Sequence, residues 1–114
     1  MATAVVGNGQ TVSGSGCEGV VHCANKVEEV FELMKAPDLG ETILLTDSPS
    51  ATALVPLLAK VRGLVCRSGG MTSHLAIVSR EFGLPAVMGA DVDRPGELEG
   101  ERIVVDAEGQ ISRA

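Results

Sequence analysis

Short apolar runs alternate along this chain with stretches whose apolar residues recur every three or four positions, and that alternation restricts it to a mixture of strands and helices. Residues 42–45 are a short, continuously apolar run of the kind found in a buried strand, and residues 64–66 form a second. Residues 18–24 are apolar, β-branched and short enough for another strand, and 86–88, 102–106 and 110–112 complete the set, with Glu108-Gly109 as the last turn. At the N-terminus, Gly7-Asn8-Gly9 carries an Asn-Gly pair, which predicts a tight turn between strands at 4–6 and 10–13. Three helices are expected. Asn25 can cap one over 26–35, with Val27, Val30, Phe31 and Met34 on its apolar face and Pro37 stopping it. Pro49 or Ser50 opens another, with Leu54, Leu57, Leu58 and Val61 on one face and Pro56 kinking or delaying it. A third begins near His74, turns Leu75, Val78 and Phe82 inward, and closes at Gly83 before Pro85. Elements in this order predict a compact α/β sandwich.

Composition narrows the function. The chain has 114 residues, which suits one domain with a modest core, and its two Phe without Trp or Tyr make that core aliphatic. There is no room for a nucleotide-binding kinase domain or a large barrel, and G-x-x-x-x-G-K-[ST], the phosphate loop of many ATP-binding proteins, is absent. Nine Lys and Arg against fifteen Asp and Glu, with no basic run, exclude a surface that tracks a nucleic-acid backbone. No apolar stretch approaches the length of about 18 residues that a membrane span needs, and no signal peptide is legible. Cys17, Cys23 and Cys66 are odd in number and lack C-x-x-C spacing, so they read as reduced thiols in a cytoplasm, each filling core space. With two histidines and scattered cysteines, no metal site is expected. Gly14-Ser15-Gly16-Cys17-Glu18-Gly19 matches the dinucleotide fingerprint G-x-G-x-x-G, but a short polar lead-in and a strand-like exit make it a connecting turn or bulge.

One segment carries chemistry. Gly69-Gly70-Met71-Thr72-Ser73-His74 delivers a histidine to the first turn of the third helix. Exposed amides and the positive end of the helix dipole favour an anion at such a terminus. Gly69 and Gly70 let backbone approach a ligand closely, and Thr72 or Ser73 can cap the helix or donate to a phosphate oxygen. A neutral imidazole is a competent nucleophile. The plain alternative is an ordinary helix start with a histidine beside its cap. Arg67, at the end of the strand feeding the loop, either helps neutralise a phosphoryl group or is simply solvated. Arg80 lies six residues beyond His74, about 240° round the helix and ~9 Å along it, so it belongs to the helix surface or to a partner contact. His22 reads as a surface or half-buried strand residue, Asp47 follows the central strand without an evident role, and residues 97–101 form a solvated acidic turn.

That loop, followed by Ile77-Val78-Ser79-Arg80-Glu81-Phe82-Gly83-Leu84-Pro85-Ala86-Val87-Met88-Gly89, resembles the phosphohistidine swivelling domain of the phosphoenolpyruvate-utilising enzymes. This family includes pyruvate phosphate dikinase, phosphoenolpyruvate synthase, the first enzyme of the sugar phosphotransferase system, rifampicin phosphotransferases and phenylphosphate synthases. The resemblance is strongest over residues 63–89. It extends to Gly9, Ser13 and Gly19, to Leu44-Leu45-Thr46-Asp47, and to residues 100–109. Two positions depart from the pattern: Leu75 precedes Ala76 where most members have Ala-Ala, and Ser13-Gly14-Ser15 stands where many have Ser-Pro-Gly.

The resemblance implies a single swivelling β/β/α domain over residues 1–114, an α/β fold with three helices packed on a β-sheet. It implies that His74 is phosphorylated and that Thr72 contacts the phosphoryl group, with Ser73, Gly70, Gly69 and Arg67 available for positioning. An ATP-binding partner of the ATP-grasp type, or phosphoenolpyruvate itself, would load the histidine. A second domain or subunit would hold the acceptor, with Mg²⁺ and ATP or phosphoenolpyruvate bound by the partner and no cofactor by this chain. The chain is then the phosphohistidine component of a phosphotransferase rather than a complete enzyme, and Met1 favours a free-standing subunit over an excised piece. Two rivals follow from the same fold: a binding or regulatory module that carries no phosphate, and a dehydratase-type domain that contributes a substrate loop.

Overall fold

A computed structural model describes residues 5–25, 27–36, 38–47, 54–69, 74–93 and 95–114 of the chain. Its elements in order are β1 (Val5–Ser13), β2 (Cys17–Cys23), α1 (Val27–Lys35), β3 (Thr42–Thr46), α2 (Val55–Leu58), β4 (Gly63–Cys66), α3 (His74–Phe82), β5 (Ala86–Val92), a 3₁₀ turn (Pro95–Leu98), β6 (Arg102–Val105) and β7 (Gln110–Arg113). The α/β class and the three expected helices are present. The sheet, however, is not open: the strands close into a barrel in the order β1-β5-β4-β3-β2-β6-β7. β2, β3, β4 and β5 run parallel, and the remaining pairings are antiparallel.

Closure depends on β1, which pairs with β5 along one part of its length and with β7 along another. Register shifts between Val5 and Gly7, Asn8 and Gln10, and Thr11 and Ser13 bend it from one neighbour to the other, as β-bulges do. The turn expected at Gly7-Asn8-Gly9 is therefore corrected: the segment stays inside one continuous strand, and its glycines admit a bulge. A Cβ at Gly9 would fall 2.6 Å from a Val87 methyl and 2.9 Å from the Ala90 Cα. By contrast, residues 14–16 are the connecting turn that the sequence suggested for the 14–19 segment, and Cys17, Glu18 and Gly19 already belong to β2.

β3 and β4 are buried on both faces, so alternate residues serve two cores. Val21, Ile43, Leu45, Val65 and Val87 fill the barrel with Ile103, Val105 and Ile111. Leu44, Leu64, Cys66, Ala86 and Met88 face outward, under Val30 and Leu33 of α1, Leu57 and Leu58 of α2, and Leu75 and Val78 of α3. All four apolar residues expected on the second helix, Leu54, Leu57, Leu58 and Val61, are buried. Pro56 falls in the first turn of α2, where a missing N–H costs nothing, so it opens the single turn instead of kinking it. The proposed start at Pro49 or Ser50 lies outside the described residues, as does Pro37.

The apolar face of α1 needs correction. Phe31 and Met34 are half-exposed, while Val30 and Leu33 are buried. Two stripes overlap on this helix, and the one that packs continues through Ala36 into Leu39, where the chain returns to the core. Phe82 is likewise exposed, not inward. α3 closes as expected: Gly83 has φ 65°, its N–H donates to the Arg80 carbonyl, and the Leu84 N–H donates to Ser79 at 2.9 Å. Cys66 fills core space, but Cys17 and Cys23 are only half-buried. Among the described residues, no helix is long and apolar enough to cross a membrane. Leu44 sits fully buried at the junction of β3 and the helices. Leu44→Ala should lower stability by roughly 2–5 kcal/mol, read as a fall in the urea midpoint at unchanged slope.

Candidate functional site

In-register parallel pairing brings the carboxyl ends of β2, β3 and β4 to one pole, with Cys23 opposite Leu45 and Thr46 opposite Cys66. Open α/β sheets bind ligands outside the carboxyl ends of their strands, and this parallel segment presents the same kind of pole. The polar residues collect there. β4 hands the chain to Arg67, Ser68 and Gly69, and His74 is the first residue of α3. His74 is exposed although Leu75 and Ala76 directly after it are fully buried. The apolar pair pins the helix to the sheet and leaves the imidazole outward, on the terminus where the dipole is positive.

The foot of the loop is tied down by hydrogen bonds. The Arg67 N–H donates to the Thr46 carbonyl at 2.9 Å, extending the β3–β4 ladder by one residue. The Arg67 side chain donates through Nη1 to Asp47 Oδ1 at 2.9 Å, and the Ser68 hydroxyl donates to the Asp47 carbonyl at 2.6 Å. Arg67 is thus neither solvated alone nor free of a partner. Gly69 has φ 86°, and beneath it the Gly89 N–H donates to the Ser68 carbonyl at 3.4 Å. Gly89 itself has φ 60°, and a Cβ there would stand 3.2 Å from the Gly69 oxygen. Thr72, Ser73 and Gly70 lie outside the described residues, so of the six residues expected at the site the structure describes His74, Gly69 and Arg67.

Asp47 and Ser68 are additions that the sequence did not single out as site residues. An acidic residue just past a buried strand is a visible feature, but the register that sets it against Arg67 is not. Asn25 has a further role at the same pole. Its side-chain oxygen accepts from the Asp47 N–H at 2.7 Å, and its own N–H donates to Glu29 Oε1 at 3.1 Å, so its side-chain oxygen serves the end of β3.

Farther along the same pole, Glu99 accepts from the Cys23 N–H through Oε1 and pairs with His22 Nδ1 through Oε2, both at 2.8 Å. The acidic segment is thus an exposed turn tied to β2 through Glu99, and His22 is a half-buried strand residue as expected. Arg80 reaches back to the Val12 carbonyl at 3.4 Å. Burial first, then the carboxylates of Glu99, Glu29 and Asp47, push the Cys23 thiol up to about 11; burial raises Cys17 and Cys66 as well. None is an activated thiolate. Among the described residues, no group of three His, Cys, Asp or Glu side chains is placed to hold a metal ion.

Two predictions follow from this geometry. A thiol pushed from its ordinary value of 9.0 up to about 11 holds its proton while the unfolded chain loses it. The contribution of Cys23 is therefore fully present below pH 9 and lost as pH rises toward 11, and Cys23→Ala should flatten the fall in urea midpoint across that window. Gly89→Ala, strained at its positive φ, should cost roughly 1–2 kcal/mol and shift the backbone NMR signals of Ser68 and Gly69.

Known proteins bear on the same segment. Residues 39–110 match the family described as "PEP-utilising enzyme, mobile domain". The chain is 36% identical over 94 residues to chondramide synthase of Chondromyces crocatus, a match covering 82% of this chain and 2% of that protein. It is 34% identical over 85 residues to the probable phosphoenolpyruvate synthase of Archaeoglobus fulgidus, covering 75% of this chain and 11% of that protein. The chain thus corresponds to a small part of these much longer relatives. Among solved structures, the N-terminal domain of Enzyme 1-Nitrogen aligns with TM-score 0.52 and 26% identity over 73% of this chain and 37% of that one. Holo aconitase X of Thermococcus kodakaraensis aligns with TM-score 0.60 over 95% of this chain and 97% of that one, at 18% identity, a likeness of fold alone.

Proposed function

Because the chain belongs to the mobile-domain family of the phosphoenolpyruvate-utilising enzymes, we propose that it is a phosphoryl carrier whose His74 is charged in one active site and discharged in another. The observation that carries this reading is the exposed imidazole at the first position of α3, at the carboxyl end of a parallel strand and inside the matched segment. In the first half-reaction an imidazole nitrogen lone pair attacks phosphorus and forms the P–N bond. The bond from phosphorus to the donor oxygen breaks, its electrons leave with that oxygen, and the ring sheds its N–H proton to solvent. The second half-reaction runs the same exchange toward an acceptor.

The chain's share of this chemistry is positioning. The Thr72 and Ser73 hydroxyls and the Gly69 and Gly70 amides donate to the phosphoryl oxygens, and Arg67 offsets their charge. Phosphoryl transfer needs little else from the carrier. Mg²⁺ and the donor, ATP or phosphoenolpyruvate, are held by the partner, an ATP-grasp-type domain or subunit in the first case, and a further domain holds the acceptor. The small fraction of its relatives that this chain spans supports separate partner units. Three free thiols suit a reducing cytoplasm.

The test is phosphorylation of the purified chain in an extract of its source cell with β-labelled ATP, γ-labelled ATP and labelled phosphoenolpyruvate in parallel. Acid-labile, base-stable label on the wild type and none on a folded His74→Ala chain is the expected result, and the productive donor identifies the loading partner. Label that persists in His74→Ala rejects His74 as the carrier. No label from any donor, in an extract that charges a known carrier, favours a binding module instead. Since a hydrogen bond to a charged group contributes about 1.5–3 kcal/mol, Thr72→Val should slow transfer by roughly tenfold or more.

A further inference from the structure

We infer that Asp47 is a positioning residue for the charged loop, holding Arg67 and Ser68 in place and setting by its negative charge how firmly the guanidinium grips a phosphoryl group on His74. This rests on the carrier reading above and adds to it a residue that no motif of the loop contains. Asp47 touches the foot of the loop with both backbone and side chain. Its carboxylate accepts from Arg67 Nη1 at 2.9 Å, and its carbonyl accepts the Ser68 hydroxyl at 2.6 Å. Its N–H is held in turn by the Asn25 side chain at 2.7 Å, so the support is anchored to the end of β2 as well as to β3.

The register explains why it is placed there. Thr46 pairs with Cys66 at the end of the β3–β4 ladder, and Asp47 and Arg67 are the next residues on each strand. Both side chains are substantially exposed, and a guanidinium carries five N–H donors, of which the carboxylate takes one. The pair is neutral while the loop is empty. A phosphoryl group brings oxygens bearing up to two negative charges, for which the same guanidinium is the cationic partner and Asp47 the competing anion. The carboxylate thus orients Arg67 while limiting its hold, which keeps the phosphoryl group transferable.

Chemical charging tests this without a partner enzyme. Phosphoramidate transfers its phosphoryl group to imidazole, the new P–N bond forming as the old one breaks and ammonia leaves. The lifetime of the resulting phosphohistidine is followed by ³¹P NMR on the signal missing from His74→Ala. Asp47→Asn keeps an oxygen acceptor for Nη1 but removes the charge, and should lengthen that lifetime by about two- to fivefold, the range exposed charge pairs support. Arg67→Ala should shorten it by a similar factor, and Asp47→Asn added to Arg67→Ala should change it no further. Thermal midpoints of all variants should stay close to the wild type, so a purely structural role would leave the lifetimes alike. Equal lifetimes for wild type and Asp47→Asn overturn the proposal, as does the same lengthening with Arg67 absent. A wild type that takes no phosphoryl group on His74 from phosphoramidate overturns it too. Because no enzyme is involved, the carrier reading can fail in an extract while this coupling stands, and the reverse.

Discussion

Everything else in the molecule depends on the in-register parallel pairing of β2, β3, β4 and β5. β3 is buried at all five positions, with Ile43 and Leu45 entering the barrel and Leu44 packing under the helices. A slip of one residue would exchange the two sets and leave both cores mismatched. The same register brings the strand ends level, so that Cys23, Asp47 and Arg67 end up on one pole. The site is thus a by-product of how the core packs.

On that scaffold, the loop before α3 combines anchored and accessible parts. Leu75 and Ala76 bury the start of the helix while His74 stays outside, and Gly89 supplies a low seat beneath Gly69. The contrast suits chemistry in which a small rigid body must present one side chain to different surroundings. Protein groups around a transferred phosphoryl contribute mainly by position and charge. An aliphatic core of packed residues fixes the strand ends, and Arg67 is held there against Asp47.

Much of this was legible before any coordinates. Short apolar runs located the buried strands, and the leucines of the 54–61 segment lay on the predicted face. The stretch from Gly69 to His74 predicted a helix start at His74, and α3 begins there. What the sequence withheld depends on tertiary context. Asn-Gly signals a turn, but neighbouring strands converted it to a bulge within β1, and with it an expected sheet became a barrel. α1 carries two overlapping apolar stripes, and the packing of Ala36 and Leu39 selected the one without Phe31 and Met34. Asn25 could be read only against its neighbours, whereas its side-chain partner Asp47 is 22 residues away. The Arg67–Asp47 pair was hidden for the same reason, since each residue was noticed alone and only the register joins them.

Closure of the sheet has a consequence for how this chain can meet others. An open sheet of this composition would offer two rows of unpaired backbone donors and acceptors, which invite strand addition by a neighbouring chain. Here β1 bonds to β5 on one side and to β7 on the other, so the ring has no terminal strand to offer. Encounters must then go through side chains and loops, where charge and shape discriminate between partners, and not through backbone, which would accept any extended segment. The bulges that bend β1 thus protect the chain from indiscriminate self-association while leaving its histidine-bearing pole open to selective contact.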